Sequence, residues 1–275
     1  DYALMQNAWN AQWSHNRYRA YYPWTIGGAV WRMYDYNRGC CDNICYSGLA
    51  DLFRLPKFGL LYFRTQMKEG TFTPAGPMTY EVFINSHWLE GSSDTLQVYG
   101  NVDEVKLQLN GRVIARQYPD DKPSTSEYVS RPDGGNAENI DFPPFTFFNV
   151  NWERGELKAI GYKDGKAVAE HVVRTPGAVE AMDITYFESG VSASCRDLLI
   201  VYVNLKDLQG TGCFGENNRE VKLEVLQGGE LRGPATIKAE AGVASFLVAT
   251  TDSPMLVLKA VSGNLETMRK LKLKK

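Results

Sequence analysis

Apolar and polar residues alternate with a period of two through much of the chain after residue 78. The alternation is clearest where Val105, Leu107 and Leu109 are separated by polar residues, just before an Asn110-Gly111 pair. Such a pair supplies the positive-φ positions of a tight hairpin turn, and Asp164-Gly165 repeats the design. Period-two segments with regular turn signals are typical of antiparallel sheets, so the pattern predicts a β-sandwich over 79–176.

A second series of apolar strands begins near Gly177. Segments 197–207, 220–228 and 242–251 are rich in Val and Leu and are bounded by Gly, Asp or Pro. The chain ends in a basic stretch that alternates Leu with Lys, which suits a solvent-facing edge strand. These features predict a second sandwich over 177–275.

The first 68 residues follow a different pattern. Apolar residues on one helical stripe predict a helix over 2–19, which ends before Pro23. The segment 25–31 then reads as a short buried strand whose glycines allow close backbone approach. Residues 54–66 read as a turn that leads into a second helix, with Pro56 near its first turn, so the region 1–68 is predicted to be α/β with a parallel strand.

This α/β segment cannot easily complete a fold by itself. Its single strand would leave backbone donors and acceptors unpaired on both edges, and its helices would have no sheet to cover. A Gly- and Pro-rich linker over 69–78 separates it from the first sandwich. We therefore expect the remaining strands to come from an upstream part of the polypeptide or from another chain.

Composition and charge exclude two classes of partner. The chain has 275 residues, of which 44% are hydrophobic and 23% charged, and its formal net charge is −2. A near-neutral balance argues against nucleic acid. The longest apolar run, Leu198 to Leu205, is strand-sized and far short of the ~18–20 residues that span a bilayer, so no membrane contact is expected.

The cysteines and histidines indicate no metal site and no cofactor. Five cysteines cannot all pair within one chain, which leaves unpaired thiols or a single loop disulfide. The cluster over 40–45 lacks the spacing of a structural zinc site, and the three histidines are scattered. The cysteines are Cys40, Cys41, Cys45, Cys195 and Cys213, and the histidines are His15, His87 and His171.

Motifs in the first two zones resemble one enzyme family. Near the predicted strand, a Trp is followed after four residues by Asp and an aromatic, and a Gly-hydrophobic-x-Asp step then leads to Arg-x-Pro-Lys. The sandwich adds a His-Trp pair and the stretches 99–111 and 155–166. The matching residues of the first zone are Trp31, Asp35, Tyr36, Gly48, Asp51, Arg54, Pro56 and Lys57.

In these motifs the chain resembles glycoside hydrolase family 2, the β-galactosidase and β-glucuronidase family. The resemblance implies a mainly β chain: two antiparallel immunoglobulin-like sandwiches, preceded by an α/β segment that is the end of a TIM barrel. It also implies a retaining glycosidase with two carboxylates about 5–5.5 Å apart. In the family these are glutamates on barrel strands that would precede Asp1, so no catalytic residue is assigned to this chain.

The resemblance does assign substrate-binding candidates. Trp31 would form one wall of the sugar site, because TIM-barrel active sites lie at the carboxyl ends of the strands; the alternative is that its indole packs in the core. Asp35 would touch a sugar hydroxyl or, alternatively, position the loop through an ion pair. Arg32 departs from the family, which often has a small polar residue after that Trp; its bidentate guanidinium would meet an anionic or sulfated sugar or, alternatively, form a salt bridge. Asn43 lies nearby, but the Asn-x-Lys pattern of glucuronidases is missing.

Three functions follow from these features. The first is the C-terminal part of a glycosidase that acts on β-galactosides or related polysaccharide-derived oligosaccharides. The partners it implies are a carbohydrate substrate and an upstream barrel portion or companion chain; a homo-oligomer stays open. A non-catalytic carbohydrate-binding module and a purely structural module are the alternatives. The family's polysaccharide substrates imply a periplasmic or extracellular location.

Overall fold

The computed structural model describes residues 2–37, 39, 44–123, 132–188 and 190–274. The chain divides into two compact units, Asp1–Thr175 and Pro176–Lys275, and each has an apolar core of its own. The domain bounds drawn from the sequence stay predictions. No helix in the described ranges combines the length and apolar character needed to cross a membrane.

Two helices and nineteen strands make up the described structure. In chain order they are α1 (Tyr2–Ala20), β1 (Tyr36–Asn37), β2 (Ile44–Cys45), α2 (Phe58–Thr65), β3 (Phe72–Thr73), β4 (Gly76–Pro77), β5 (Val82–Ile84), β6 (Leu96–Gly100), β7 (Glu104–Leu109), β8 (Arg112–Gln117), β9 (Phe145–Phe147), β10 (Glu156–Lys163), β11 (Lys166–Arg174), β12 (Ala181–Tyr186), β13 (Leu198–Lys206), β14 (Glu220–Gln227), β15 (Gly229–Leu231), β16 (Thr236–Lys238), β17 (Val243–Thr250), β18 (Met255–Ser262) and β19 (Leu265–Lys272).

The first unit is built around a sandwich of two antiparallel sheets. One sheet has the order β5-β6-β9 and the other β11-β10-β7-β8. Alternate residues of β7 are buried, as its pattern predicts, and Asn110 and Gly111 have φ values of 51° and 78° at the β7–β8 turn. Asp164 and Gly165 do the same between β10 and β11. The predicted hairpins are therefore confirmed.

The smaller sheet of this sandwich is covered on both faces. Alternate β5 and β6 residues, including Ile84 and Val98, point into the sandwich core. The residues between them, Phe83 and Tyr99, pack with the helices in a separate cluster that includes Met5 of α1 and Tyr62 of α2. Because helices cover its second face, all five residues of β6 are buried, and the alternation shows only in which layer each one contacts.

The second unit is a sandwich of two four-stranded antiparallel sheets. Their orders are β12-β13-β17-β15 and β16-β14-β18-β19, and one apolar core joins them. Strand β19 lies at an edge of its sheet, as predicted for the basic tail. The predicted mainly β chain with two antiparallel sandwiches is thus confirmed.

One element of the first zone differs from its prediction. Residues 25–30 form no strand, and most of the segment is exposed: Trp24 is 90% and Ile26 99% accessible. The predicted buried strand is therefore wrong for this chain by itself. The reason is physical, because the described residues place no neighbouring strand along it, and an unpaired apolar segment has nothing to bury against.

The long polar loop predicted over 119–142 lies between β8 and β9. Residues 124–131 of it are outside the described ranges. Its second half is tied to α1: the Gln12 side-chain amide donates to the Asn136 carbonyl at 3.0 Å, and Asn16 accepts from the Asn139 N–H at 2.9 Å. Both helix side chains are buried, so polar contacts attach this loop to the helix.

Candidate functional site

The three candidate residues lie where the exposed segment re-enters the body of the first unit. Tyr34 forms a parallel bridge with Ala50, so this is the point where the segment acquires its first strand-like partner. The Asp35 N–H donates to the Ala50 carbonyl at 3.0 Å, and the Ala50 N–H donates to the Met33 carbonyl at 2.9 Å. This parallel bridge joins two residues of the chain itself and lies outside residues 25–31, for which the sequence predicted the strand.

Asp35 is the centre of a buried ionic cluster. It is 4% exposed, and both carboxylate oxygens lie 2.7 Å from the Lys57 ammonium nitrogen. The Gly48 N–H donates to Asp35 Oδ1 at 2.8 Å, and Lys57 also donates to the Tyr46 carbonyl at 2.9 Å. With these partners Asp35 does what its second interpretation predicts: it forms an ion pair and holds the following loop in place.

The close approach of this loop to the Asp35 backbone depends on Gly48. A Cβ at that position would lie 2.4 Å from the Asp35 backbone nitrogen, far inside any normal contact distance. Only glycine therefore allows its N–H to reach the Asp35 carboxylate while the two backbones touch. Close packing against the Asp35 backbone therefore explains why the Gly-hydrophobic-x-Asp step begins with glycine.

Asp51 organises the next turn in a similar way. Its Oδ1 accepts the N–H groups of Phe53 and Leu55, both at 2.8 Å, while Arg54 between them takes a φ of 73°. Burial raises the pKa of the Asp51 carboxyl, and these two hydrogen bonds oppose the rise. The turn brings Lys57 to the start of α2, within reach of Asp35.

Arg32 is engaged by protein groups. Its Nη1 lies 2.9 Å from the Cys45 sulfur, and its guanidinium carbon lies 4.2 Å from the centroid of the Tyr36 ring. A hydrogen bond with Ser47 and the nearby Arg32 charge lower the pKa of the Cys45 thiol. The predicted salt bridge is thus replaced by a thiol contact and a stacking contact.

Trp31 presents its side chain to solvent and is 82% exposed. In sequence it stands next to Arg32 and four residues before Asp35, but only those two lie against other described groups. An indole with this exposure is free to contact a ligand or a further protein segment.

Contacts with α1 show in which direction the segment that leads to Asp35 runs. Gly28 approaches the ring of Tyr18 so closely that a Cβ would lie 2.3 Å from it, whereas the Asn7 amide contacts the Gly48 carbonyl and the Gly59 N–H. The segment leading to Asp35 therefore runs antiparallel to α1.

Sequence reasoning identified Lys57 only as part of a motif and missed its role. A signal existed, since a buried carboxylate needs a cationic partner, but the partner stands 22 residues away. Asn43, Cys40 and Cys41 lie outside the described residues. Within the described ranges no three His, Cys, Asp or Glu side chains are grouped to hold a metal ion, and Cys45, Cys195 and Cys213 are not in disulfides.

Comparison with known proteins adds a family context. Residues 91–169 match the family described as "Domain of unknown function (DUF4982)". A β-galactosidase of Thermoanaerobacter pseudethanolicus is 31% identical over 258 residues, which cover 87% of this chain and 32% of the relative. A β-glucuronidase of Formosa agariphila is 27% identical over 73% of this chain and 18% of its own length. The chain thus spans about a third or less of these relatives.

Solved structures show the same fold. A β-glycosidase from Bacteroides vulgatus aligns with a TM-score of 0.73 at 16% identity, over 95% of this chain and 32% of that one. A β-glucuronidase from glycoside hydrolase family 2 aligns with a TM-score of 0.74 at 20% identity, over 98% of this chain and 27% of that one. The fold of this chain, helices followed by antiparallel sandwiches, therefore recurs within longer chains.

Proposed function

We propose, from the premise that this chain belongs to glycoside hydrolase family 2, that it supplies one wall of the sugar site and the accessory domains of a retaining glycosidase. The substrates we propose are β-galactosides or related polysaccharide-derived oligosaccharides. The named relatives are β-galactosidases and β-glucuronidases, which supports a glycosidase but leaves the sugar as a proposal.

The exposed segment that leads to Asp35 carries this proposal. It places Trp24, Ile26 and Trp31 in solvent with accessibilities between 82% and 99%, in a stretch whose backbone is without strand partners in the described structure. Exposed apolar side chains of this kind mark an interaction surface, and the backbone amides beside them need protein partners once that surface is buried. Neighbouring strands of a barrel would cover both, and they would come from an upstream part of the polypeptide or from a companion chain.

Within such a barrel the three candidates would have separate tasks. Trp31 would present its apolar face to a pyranose ring at the carboxyl end of the last strand. Asp35 would act as a positioning residue, since Lys57 and Gly48 already occupy its carboxylate oxygens. Arg32 would border the site through a guanidinium held by Cys45 and Tyr36, where it could meet an anionic substituent.

The chemistry itself would come from outside this chain. A retaining glycosidase needs a nucleophilic carboxylate and an acid/base carboxylate about 5–5.5 Å apart. The only buried carboxylate at the candidate site, within the described residues, is Asp35, and its ion pair with Lys57 makes it a poor nucleophile or proton donor. We accordingly propose that both catalytic groups lie on the remaining part of the barrel.

The decisive experiment uses this chain joined to the rest of its barrel. Intact mass under native and denaturing conditions identifies the upstream portion or companion chain, and hydrolysis of an aryl β-D-galactoside then tests activity. Trp31→Ala should lower kcat/KM by at least tenfold. Phe72→Ala removes an aromatic ring of similar exposure (83%) that lies outside the segment, and it should leave kcat/KM nearly unchanged. Equal effects of both substitutions would contradict a substrate contact at Trp31.

We also propose a periplasmic or extracellular location, because oligosaccharides derived from polysaccharides are met there. Fractionation of producing cells, with activity followed in each fraction, tests this. A chain that binds no barrel partner and folds as a monomer would instead favour the alternative of a binding or structural module.

A further inference from the structure

Helix α2 contacts the first sandwich through two buried aromatic rings. Phe58, the first residue of α2, is 5% exposed and packs edge-on against Phe83 of β5, with 5.1 Å between the ring centroids. Lys57, whose ammonium pairs with Asp35, directly precedes Phe58 in the sequence. The position of that ammonium therefore depends on the aromatic contact between α2 and β5.

An imidazole ring lies on each side of this aromatic contact. The ring centroid of His87 lies 4.8 Å from that of Phe58, and the ring centroid of His171, on β11, lies 5.3 Å from that of Phe83. Both histidines are partly buried. A change in the charge of either imidazole would therefore act directly on the rings that attach α2.

The His171 ring is held in a neutral form. Its Nδ1 accepts the Ile84 N–H at 3.2 Å, so this nitrogen carries no proton. Protonation of Nδ1 would set one N–H against another and would take this acceptor from the buried Ile84 amide. Because β5 and β11 are edge strands of the two facing sheets, acid would break a hydrogen bond that joins the sheets beside α2.

Burial and repulsion both oppose a charge on these rings. Burial lowers the pKa of His171, and it lowers the pKa of His87 to about 4. The amino group at the start of the chain and His171 add to the lowering of the His87 pKa. An amino group of this kind stays charged from pH 4 to 7, so it does not titrate over the range in which the imidazoles do.

The acidic groups on the neighbouring elements already have cationic partners. Glu81, just before β5, pairs with Arg64 of α2, and Glu170 of β11 pairs with Lys158 of β10 at 3.2 Å. These carboxylates therefore offer little compensation to a protonated imidazole.

A third histidine meets α2 from the side of α1. His15 Nδ1 lies 2.9 Å from the Tyr62 hydroxyl oxygen. Burial and the Arg19 charge lower the pKa of His15, whereas the Asp141 carboxylate raises it. Because Asp141 opposes the lowering, His15 should respond to acid less than the two rings beside β5.

We propose that the aromatic contact between α2 and β5 is an acid-sensitive latch. The neutral rings of His87 and His171 keep it closed at neutral pH. As the pH falls from about 6.5 toward 4, they take up protons, α2 separates from the sandwich and Lys57 is drawn away from Asp35. The sign follows from linkage: a histidine whose pKa is lowered by folding stabilises the folded state above its unfolded pKa, and this contribution is lost as the pH falls.

Hydrogen exchange of the complete 275-residue chain, read by mass spectrometry on peptides of α2, measures the opening of the latch. After correction for the intrinsic pH dependence of exchange, the opening equilibrium constant of α2 should rise by about fiftyfold between pH 7 and 4.5 from His87 alone. Peptides of β10 should keep their protection, which distinguishes opening of the latch from unfolding of the whole unit.

Histidine variants show whether the two rings cause the response. The double variant His87→Gln/His171→Gln removes both titrating groups and keeps side chains that can accept a hydrogen bond, so its opening constant should rise by less than about threefold. His15→Gln is the matched control and should keep most of the rise. If the double variant does not fold, His87→Gln alone decides, and it should lose most of the rise.

Four results would overturn the latch. They are an opening constant of α2 that stays unchanged between pH 7 and 4.5, an equal rise in the parent and in the histidine variants, loss of the rise in His15→Gln, and equal loss of protection in α2 and β10. Other titrating groups, Asp120 among them, are present in every variant and cancel in the comparison. None of these measurements needs hydrolysis of a glycoside, so the latch and the proposed function can fail separately.

Discussion

Removal of the Lys57 ammonium should destabilise the first unit strongly, because it leaves the Asp35 carboxylate buried and unpaired. The Asp35 side chain is 2% and the Lys57 side chain 13% exposed, so little water can take the place of the lost partner. Breaking a buried ion pair from one side costs about 3–5 kcal/mol. We expect about 3 kcal/mol for Lys57→Met, at the lower end of that range, since the Gly48 N–H still donates to the carboxylate.

The assay is urea unfolding followed by tryptophan fluorescence. All six tryptophans lie between Trp9 and Trp152, within the first unit, so fluorescence reports that unit without contribution from the second. For a unit of this size about 3 kcal/mol also corresponds to a fall in Tm of roughly 6–12 °C. Fluorescence-detected melting provides that second readout.

Two further variants make the test specific. Lys163→Met removes a lysine whose partner Asp103 is 48% exposed, and such surface pairs are worth about 0–1 kcal/mol. Adding Asp35→Asn to Lys57→Met removes the stranded charge and should recover most of the loss. If Lys57→Met costs no more than Lys163→Met, or if the double variant recovers nothing, the buried ion pair does not hold this loop.

Three other predictions concern the first unit. Gly48→Ala should cost about 1–3 kcal/mol in the same urea assay, because its Cβ would collide with the Asp35 backbone, whereas Ser47→Ala should cost little. Burial raises the pKa of Asp120 to about 6, so the folded state keeps that proton longer than the unfolded state, and the stabilisation present below pH ~4 is lost as the pH rises through 6. The stability of Asp120→Asn relative to the parent should therefore rise by on the order of 2 kcal/mol between pH 4 and 7. Burial lowers the pKa of His87 to about 4, which gives the opposite trend, but His87 is present in both proteins and its contribution cancels in the difference. Trp31→Ala should leave the Tm of this chain unchanged in calorimetric melting, because the indole is exposed. A fall in Tm of several degrees would show that the indole packs against protein.

Local pattern was enough to predict the sandwiches and their hairpins. In β7 and β10 one face is buried and the other is not, so apolar and polar residue types alternate along each strand. Strand β6 carried no such signal, because both of its faces are covered and Gln97 is as buried as its apolar neighbours. Its polar side chain is accommodated by a hydrogen bond to Gln12 of α1, a contact between residues 85 positions apart.

The sequence predicted which residues belong to the candidate site but not which of them contact each other. The motif drew attention to Asp35 and Lys57 separately, and the spacing of residues along a chain does not reveal which charges meet after folding. The buried strand was expected because its residues are apolar, yet burial needs partners as well as apolarity.

The double burial of β6 also bears on how enzymes of this kind can exchange their parts. Helices α1 and α2 and the sandwich that follows them share one apolar cluster through Phe83 and Tyr99. A gene fusion made within the intervening Gly- and Pro-rich stretch would join a new sandwich to helices shaped for another partner. A junction at Thr175–Pro176 falls between units that each keep a complete core, so recombination should favour replacing the last sandwich and should keep the first one with its helices.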